Sequence, residues 1–188
     1  MSVRGVAATV YREGVGALGV SSVGSLLAGS LLGGLETELQ RLPGLLVLVP
    51  ALLATRGNVY GSLGARLATA LQQGLLTPTL RSHDRRLYNA LVAALCTGLF
   101  TSVFAAVATV VVLWLLNAAV APASLVAVSF LAGLASGIVL SATVTGVVFV
   151  GYRRGLNPDT LVGPVVTTTG DVFGMMFLYL AARVVLAW

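Results

Sequence analysis

Residues 87–152 read LYNALVAALCTGLFTSVFAAVATVVVLWLLNAAVAPASLVAVSFLAGLASGIVLSATVTGVVFVGY, and none of these side chains is charged. About 20 apolar residues cross a bilayer as a helix, so this stretch is too long for one crossing and long enough for two. Two turn-forming residues, Asn117 and Pro122, interrupt it. The segment therefore predicts two transmembrane helices, at about 88–116 and 123–150.

The composition of the whole chain also indicates an integral membrane protein. Of its 188 residues, 57% are hydrophobic and only 9% are charged, whereas an average soluble domain is about 25% charged. So few charges could not cover the surface of a soluble fold. The excess of basic over acidic residues forms no stripe interleaved with aromatics, so a lipid bilayer and not a nucleic acid is the expected partner.

Three further apolar stretches complete a single five-helix membrane domain over residues 1–188, and the expected class is all-α. These stretches are 14–35, 43–76 and 161–188. The second stretch is longer than one crossing needs and carries Gly57-Asn58 at its middle. Since irregular backbone at membrane depth is tolerated where it lines a cavity, we expect this span to be locally broken there.

The arginines in the predicted loops indicate the orientation of the domain. Five spans place seven arginines on the N-terminal side of the membrane and one on the opposite side. The seven are Arg4, Arg12, Arg81, Arg85, Arg86, Arg153 and Arg154, and the one is Arg41. By the positive-inside rule the N-terminus lies in the cytoplasm and the C-terminus outside, and we expect a multi-pass protein of the plasma membrane.

Asp171 is the most informative side chain, because it lies near the middle of the fifth predicted span. A carboxylate at that depth costs at least ~2.5–3.5 kcal/mol, so it should face a cavity, a partner or an ion. The preceding residues, 164–170, read PVVTTTG and supply hydroxyl and carbonyl oxygens, which suit a hard cation such as Mg²⁺. The alternative is a structural ion pair between Asp171 and an arginine such as Arg56.

The second predicted span carries the other polar residues of the membrane interior. Asn58 and Ser62 are four residues apart and share one face of a helix. They either line an ion path or join helices by hydrogen bonds. Arg56 is deep in this span and needs an acidic or carbonyl partner, while Arg66 is nearer the cytoplasmic end.

The loop before the fifth span and the rest of the chain add little chemistry. Asp159 follows Asn157-Pro158, where it either begins a helix or attracts cations to a cytoplasmic mouth. The chain contains no HExxH, phosphate-loop or GxGxxG motif. We therefore expect no catalytic residues and no enzyme.

Two segments, one in the second predicted span and one leading into the fifth, resemble the membrane domain of MgtE-type magnesium transporters. Residues 50–62, PALLATRGNVYGS, are similar to that family's P-x-L-L…G-N…S element. Residues 56–70 are closer to the eukaryotic solute-carrier branch of the same superfamily. Residues 157–171, NPDTLVGPVVTTTGD, are similar to the family's N-P-D…P…T-T…D element. The order of the two elements and the five-span topology also fit.

The resemblance implies a dimer with an ion path at the subunit interface, lined by the second and fifth spans. Asp171 would hold Mg²⁺ as the transported ion, with Thr167 and Gly170 as further ligands. Gly57, Asn58, Ser62, Pro164 and Thr168 would line the path, and Asp159 and Arg66 would lie at its cytoplasmic mouth. A homodimer is the simplest assembly, and a heterodimer with a related half-protein is the alternative.

The chain departs from bacterial members of that family in one respect. Those members carry a large cytoplasmic sensor with CBS domains, whereas about a dozen residues precede the first span here.

Alternatives to a Mg²⁺ channel or transporter are a Na⁺- or H⁺-coupled exchanger, a carrier of another divalent ion such as Co²⁺ or Mn²⁺, and a non-transporting scaffold.

Overall fold

Helices make up most of the described chain. The computed structural model describes residues 3–79, 84–155 and 158–187, but not the side chains at 3–10, 12–14, 16–17 and 158–160. The helices are α1 (Val3–Gly33), α2 (Glu36–Arg41), α3 (Leu45–Gln72), α4 (Arg85–Leu115), α5 (Pro122–Arg153) and α6 (Pro158–Leu186). The predicted all-α class is confirmed for these residues.

Four of the described helices are long and apolar enough to cross a membrane: α3, α4, α5 and α6. Helix α1 is as long as these, and its described side chains form an apolar helix over Leu18–Gly33. Four of the five expected spans therefore correspond to membrane-length apolar helices. A crossing by α1 and the orientation of the whole domain stay predictions.

The turn expected inside the charge-free stretch is confirmed. Helix α4 ends at Leu115 and α5 begins at Pro122. Asn117 adopts a positive φ of 53° in this turn, a conformation that asparagine tolerates better than most residues. Proline suits the first turn of α5 because its missing N–H would have no helical partner there.

The expected break at Gly57-Asn58 is wrong, because α3 is one continuous helix through both residues. Glycine within a helix costs about 1 kcal/mol relative to alanine. Leu52, Tyr60 and Leu63 on either side are almost completely buried, and their packing outweighs that cost. A further difference is the short helix α2, which lies where the sequence indicates only a loop.

Two apolar clusters fill the bundle, and polar residues lie between them. On α3, Leu52 belongs to one cluster and Tyr60 to the other, with buried Arg56 between them. On α6, Met175 and Val166 belong to the two clusters in the same way, and Asp171 lies between them. The middle of the bundle is thus a polar layer.

Helix α6 has a central place, since it packs against α1, α3 and α5. Helix α1 comes close to α6 at Gly24, where a Cβ atom would overlap the side chain of Thr168. Small residues permit such close approaches between membrane helices. At the other end of α6, the exposed Arg183 lies 3.8 Å from the buried Glu38 of α2, which ties α2 to α6.

Candidate functional site

Asp171 lies where α1, α3 and α6 meet, and it is half-buried. It lines two adjacent cavities of about 220 Å³ each. The first lies between α3 and α6, and its lining includes Gly57, Thr167 and Gly170. The second lies between α1, α3 and α6, and its lining includes Ser25 and Gly29. The carboxylate therefore faces two cavities, one on the side of α6 that is next to α3 and one on the side that is next to α1.

Three residues predicted for the ion site share the first cavity with Asp171. Gly57 leaves that cavity open, because a Cβ added there would meet nothing within 4 Å. The Thr167 hydroxyl donates a hydrogen bond to the carbonyl of Gly163 at 3.0 Å, so its oxygen lone pairs can still accept or bind a cation. Gly170 also lines this cavity, and a Cβ added there would meet Leu140 of α5 at 3.9 Å.

Thr168 and Pro164 do not line either cavity. Thr168 turns towards α1 and packs on Gly24, and its buried hydroxyl oxygen has no hydrogen-bond partner among the described residues. Pro164 lies half-buried, two turns before Asp171 on α6.

The predicted residues of α3 divide between different surfaces. Asn58 is exposed on the outside of the chain. Ser62 and Arg66 line a separate groove of about 80 Å³ between α3 and α4, and the Ser62 hydroxyl donates to the carbonyl of Val59 at 2.8 Å. Within one chain, Ser62 and Arg66 are therefore not brought to Asp171. Asp159 begins α6, and its side chain lies outside those described.

Ser25 of α1 is a site residue that the sequence reasoning missed. Its hydroxyl donates a hydrogen bond to Oδ2 of Asp171 at 3.1 Å. Ser25 is one of several serines in α1, and Ser22 and Ser30 bond to carbonyls of their own helix. The serine content of an apolar helix is a signal in the sequence, but it cannot distinguish Ser25 from its neighbours.

Arg56 is buried near this site and has no hydrogen-bond partner among the described residues. Its side chain is 3% exposed, and none of its three guanidinium nitrogens has a hydrogen-bond partner in the described part of the chain. No ion pair within 4.0 Å joins it to Asp171 among these residues. The partner expected for this arginine is therefore not found, and neither is the structural ion pair considered as an alternative for Asp171.

The donor set around Asp171 suits a cation that keeps most of its water. Within residues 3–79, 84–155 and 158–187, no three His, Cys, Asp or Glu side chains come together as a metal cage. Mg²⁺ dehydrates reluctantly and is bound through one or two carboxylates with several waters retained. A cavity of 220 Å³ has room for several waters, at ~30 Å³ each.

Comparison with known proteins matches most of the helical bundle to one family. The family model described as MgtE, divalent cation transporter, matches residues 49–181, from α3 to α6. Solute carrier family 41 member 2 of Xenopus laevis is 30% identical over 142 residues, which cover 70% of this chain and 24% of that protein.

Mammalian proteins of the same name match this chain to a similar extent. The human protein of the same name is 28% identical over 139 residues, or 70% of this chain and 23% of that protein, and the mouse protein matches equally well. This chain thus spans about a quarter of the length of these relatives. The family match includes Gly57 and Asp171 but not Ser25. Because that match covers well over half of the chain, the protein belongs to the MgtE family of divalent cation transporters.

Proposed function

We propose that this protein carries Mg²⁺ across the plasma membrane and that Asp171 binds the ion on its path. The observation that supports this most is the open cavity between α3 and α6, where Asp171 meets Gly57, Thr167 and Gly170. A half-buried carboxylate in the polar layer of a membrane bundle is costly unless it serves a partner or an ion.

We further propose that two copies of the chain form the path. Asn58 and Thr167 are polar and exposed on the outside of a single chain. Polar groups facing lipid are unfavourable, so a second copy that covers this face would give them a hydrated or protein environment. In a two-fold dimer the same surface of each chain meets its mate, which would bring two Asp171 carboxylates towards one axis. A divalent ion between them would relieve their repulsion.

In this arrangement Thr168 and Pro164 shape the path through α6. Asp159 and Arg66 stand at its cytoplasmic mouth if the N-terminus lies in the cytoplasm. The assembly is a homodimer, and a heterodimer with a related half-protein is the alternative outcome.

The test is Mg²⁺ entry into proteoliposomes that contain wild type or Asp171→Asn, after both elute as the same oligomer. We expect flux in wild type and its loss in the near-isosteric variant. Equal flux in both would contradict the role of Asp171. No flux from two well-folded proteins would favour a missing partner chain or a scaffold.

The same vesicles separate the remaining transport hypotheses. Replacing Mg²⁺ by Co²⁺ or Mn²⁺ measures selectivity. Imposing a Na⁺ or pH gradient separates a channel, whose Mg²⁺ flux does not need the gradient, from a coupled exchanger, whose flux does.

A further inference from the structure

A narrow groove on the outside of the bundle runs between α3 and α4. It has a volume of about 80 Å³, and its lining includes Ser62 and Arg66 of α3 and Ala90, Ala93 and Thr97 of α4. The small side chains of the two alanines leave this space open between the helices. The lining of the groove is separate from that of the two cavities in the candidate site.

Arg66 gives the groove a positive charge that has no partner in the described part of the chain. Its side chain is exposed, and it makes no ion pair or hydrogen bond with the described residues. None of the described residues that line the groove is acidic. The guanidinium is thus available to an anion from outside the chain.

The depth of Arg66 in the membrane matches the level of the lipid headgroups. Helix α3 has 28 residues and is roughly 42 Å long, whereas the hydrocarbon core of a bilayer is about 30 Å thick. Each end of a centred α3 therefore projects by roughly 6 Å. Arg66 lies roughly 9 Å before the end of the helix at Gln72. Its backbone is thus just inside the core, and its long side chain can extend to the phosphates.

The same end of the bundle carries an excess of positive charge. Arg85 and Arg86 begin α4, Arg153 ends α5 and Arg154 follows it, and all four are exposed. The carboxylate of Asp84 caps α4 by accepting a hydrogen bond from the backbone N–H of Arg86 at 2.9 Å. The predicted orientation places this end at the cytoplasmic leaflet, where anionic lipids collect.

We propose that the groove between α3 and α4 binds an anionic phospholipid, with the phosphate on Arg66 and the first carbons of an acyl chain along Ala93. A zwitterionic lipid brings an ammonium group, for which the described lining offers no carboxylate. Inorganic phosphate brings no acyl chain for the groove. This inference goes beyond the proposed function and does not require Asp171 to bind an ion.

The test measures how lipids stabilise the full-length purified protein against heat in an uncharged detergent, since a ligand of the folded state raises the melting temperature. The probes are anionic phosphatidylglycerol, zwitterionic phosphatidylcholine with the same acyl chains, and sodium phosphate. The proteins are wild type, Arg66→Gln, Arg66→Lys and Ala93→Leu. Arg153→Gln is the matched control, because it removes an exposed arginine from the same end but outside the groove.

We expect phosphatidylglycerol to raise the melting temperature of wild type more than the other two probes do. Arg66→Gln should raise the half-saturating phosphatidylglycerol concentration by about fivefold, the upper range for an exposed ion pair. Arg66→Lys keeps the charge and should lose less. Ala93→Leu keeps every charge but fills the groove, and it should also weaken the response. Arg153→Gln should stay close to wild type.

Three results would refute the inference. Equal effects of Arg66→Gln and Arg153→Gln would mean that the lipid responds only to the overall charge of this end. Equal stabilisation of wild type by inorganic phosphate would mean that Arg66 binds a free anion and no lipid. A smaller oligomer for both Arg66→Gln and Ala93→Leu would mean that a second copy of the chain covers the groove. None of these results changes the Mg²⁺ flux test of Asp171, so the proposed function stands or fails separately.

Discussion

Ser25 and Asp171 are 146 residues apart in the chain, and one hydrogen bond joins them. The carboxylate is the only group of this pair that lies within the residues matched to the family. A serine from α1 thus orients a carboxylate of α6 at the place where the ion is expected. This makes α1 part of the proposed site and not only a membrane anchor.

We expect Ser25→Ala to raise the half-saturating Mg²⁺ concentration by about three- to tenfold. An exposed hydrogen bond such as this one contributes about 0.5–1.5 kcal/mol, and 1.4 kcal/mol corresponds to a factor of ten. The measurement is the Mg²⁺ dependence of the melting temperature. Ser25→Thr keeps the hydroxyl and should restore most of the affinity.

Ser22→Ala is the matched control for this prediction. Ser22 is one turn away on α1, and its hydroxyl bonds to the carbonyl of Leu18 at 2.9 Å. Its loss should leave Mg²⁺ binding unchanged. An equal effect of both substitutions would mean that α1 acts through its own stability and not through Asp171.

At the scale of the helices, Tyr60 of α3 packs against both α4 and α5. It is 1% exposed, and its hydroxyl reaches between α4 and α5. A Cβ added at Gly98 would lie 2.6 Å from this oxygen, and one added at Gly137 would overlap it. The two glycines, on different helices, make the slot that the tyrosine fills.

We therefore expect Gly137→Ala to destabilise the protein by about 1–3 kcal/mol, which is typical of overpacking in a close-packed interior. The measurement is the melting temperature of the purified protein, which should fall. Gly146→Ala on the same helix is the control, because a Cβ there meets nothing within 4 Å. Replacement of this open helical glycine should be neutral or slightly stabilising. An unchanged melting temperature for Gly137→Ala would show that Tyr60 can move aside.

For the whole molecule, the first question is its orientation in the membrane. Ala119 lies in the turn between α4 and α5, and Arg154 lies at the end of α5. In a Cys96→Ala background, we expect Ala119→Cys to react with a membrane-impermeant thiol reagent in intact cells. Arg154→Cys should react only after permeabilisation, because the arginine-rich loops stay in the cytoplasm. The reverse labelling pattern would contradict the predicted orientation and place the arginine-rich loops outside the cell.

The second question at this scale is the pairing of two chains. In the same background, Asn58→Cys should form a disulfide-linked dimer under mild oxidation, since we place Asn58 at the two-fold axis. Phe104→Cys is the control, because this side chain is 63% exposed on α4, outside the proposed interface. Cross-linking at position 104 in place of 58 would put the dimer interface on another face.

The four membrane-length apolar helices α3 to α6, the turn near Asn117 and the place of Asp171 within the last helix could be predicted from the sequence. Hydropathy and charge act locally along the chain, and a bilayer sorts segments by these properties alone. Gly57, Thr167 and Gly170 line one cavity with Asp171, and the resemblance of short motifs to a family predicts that they share an ion path.

Only the tertiary structure decided which side chains meet across helices. Three features depend on how faces of distant helices pack. They are the hydrogen bond between Ser25 and Asp171, the burial of Arg56 with no hydrogen-bond partner in the described part of the chain, and the separation of Ser62 from the site. The continuity of α3 through Gly57-Asn58 has the same origin, because burial of Leu52, Tyr60 and Leu63 outweighs the weak helix propensity of two residues. Local sequence does not contain these contacts, since their energies belong to pairs of residues far apart in the chain.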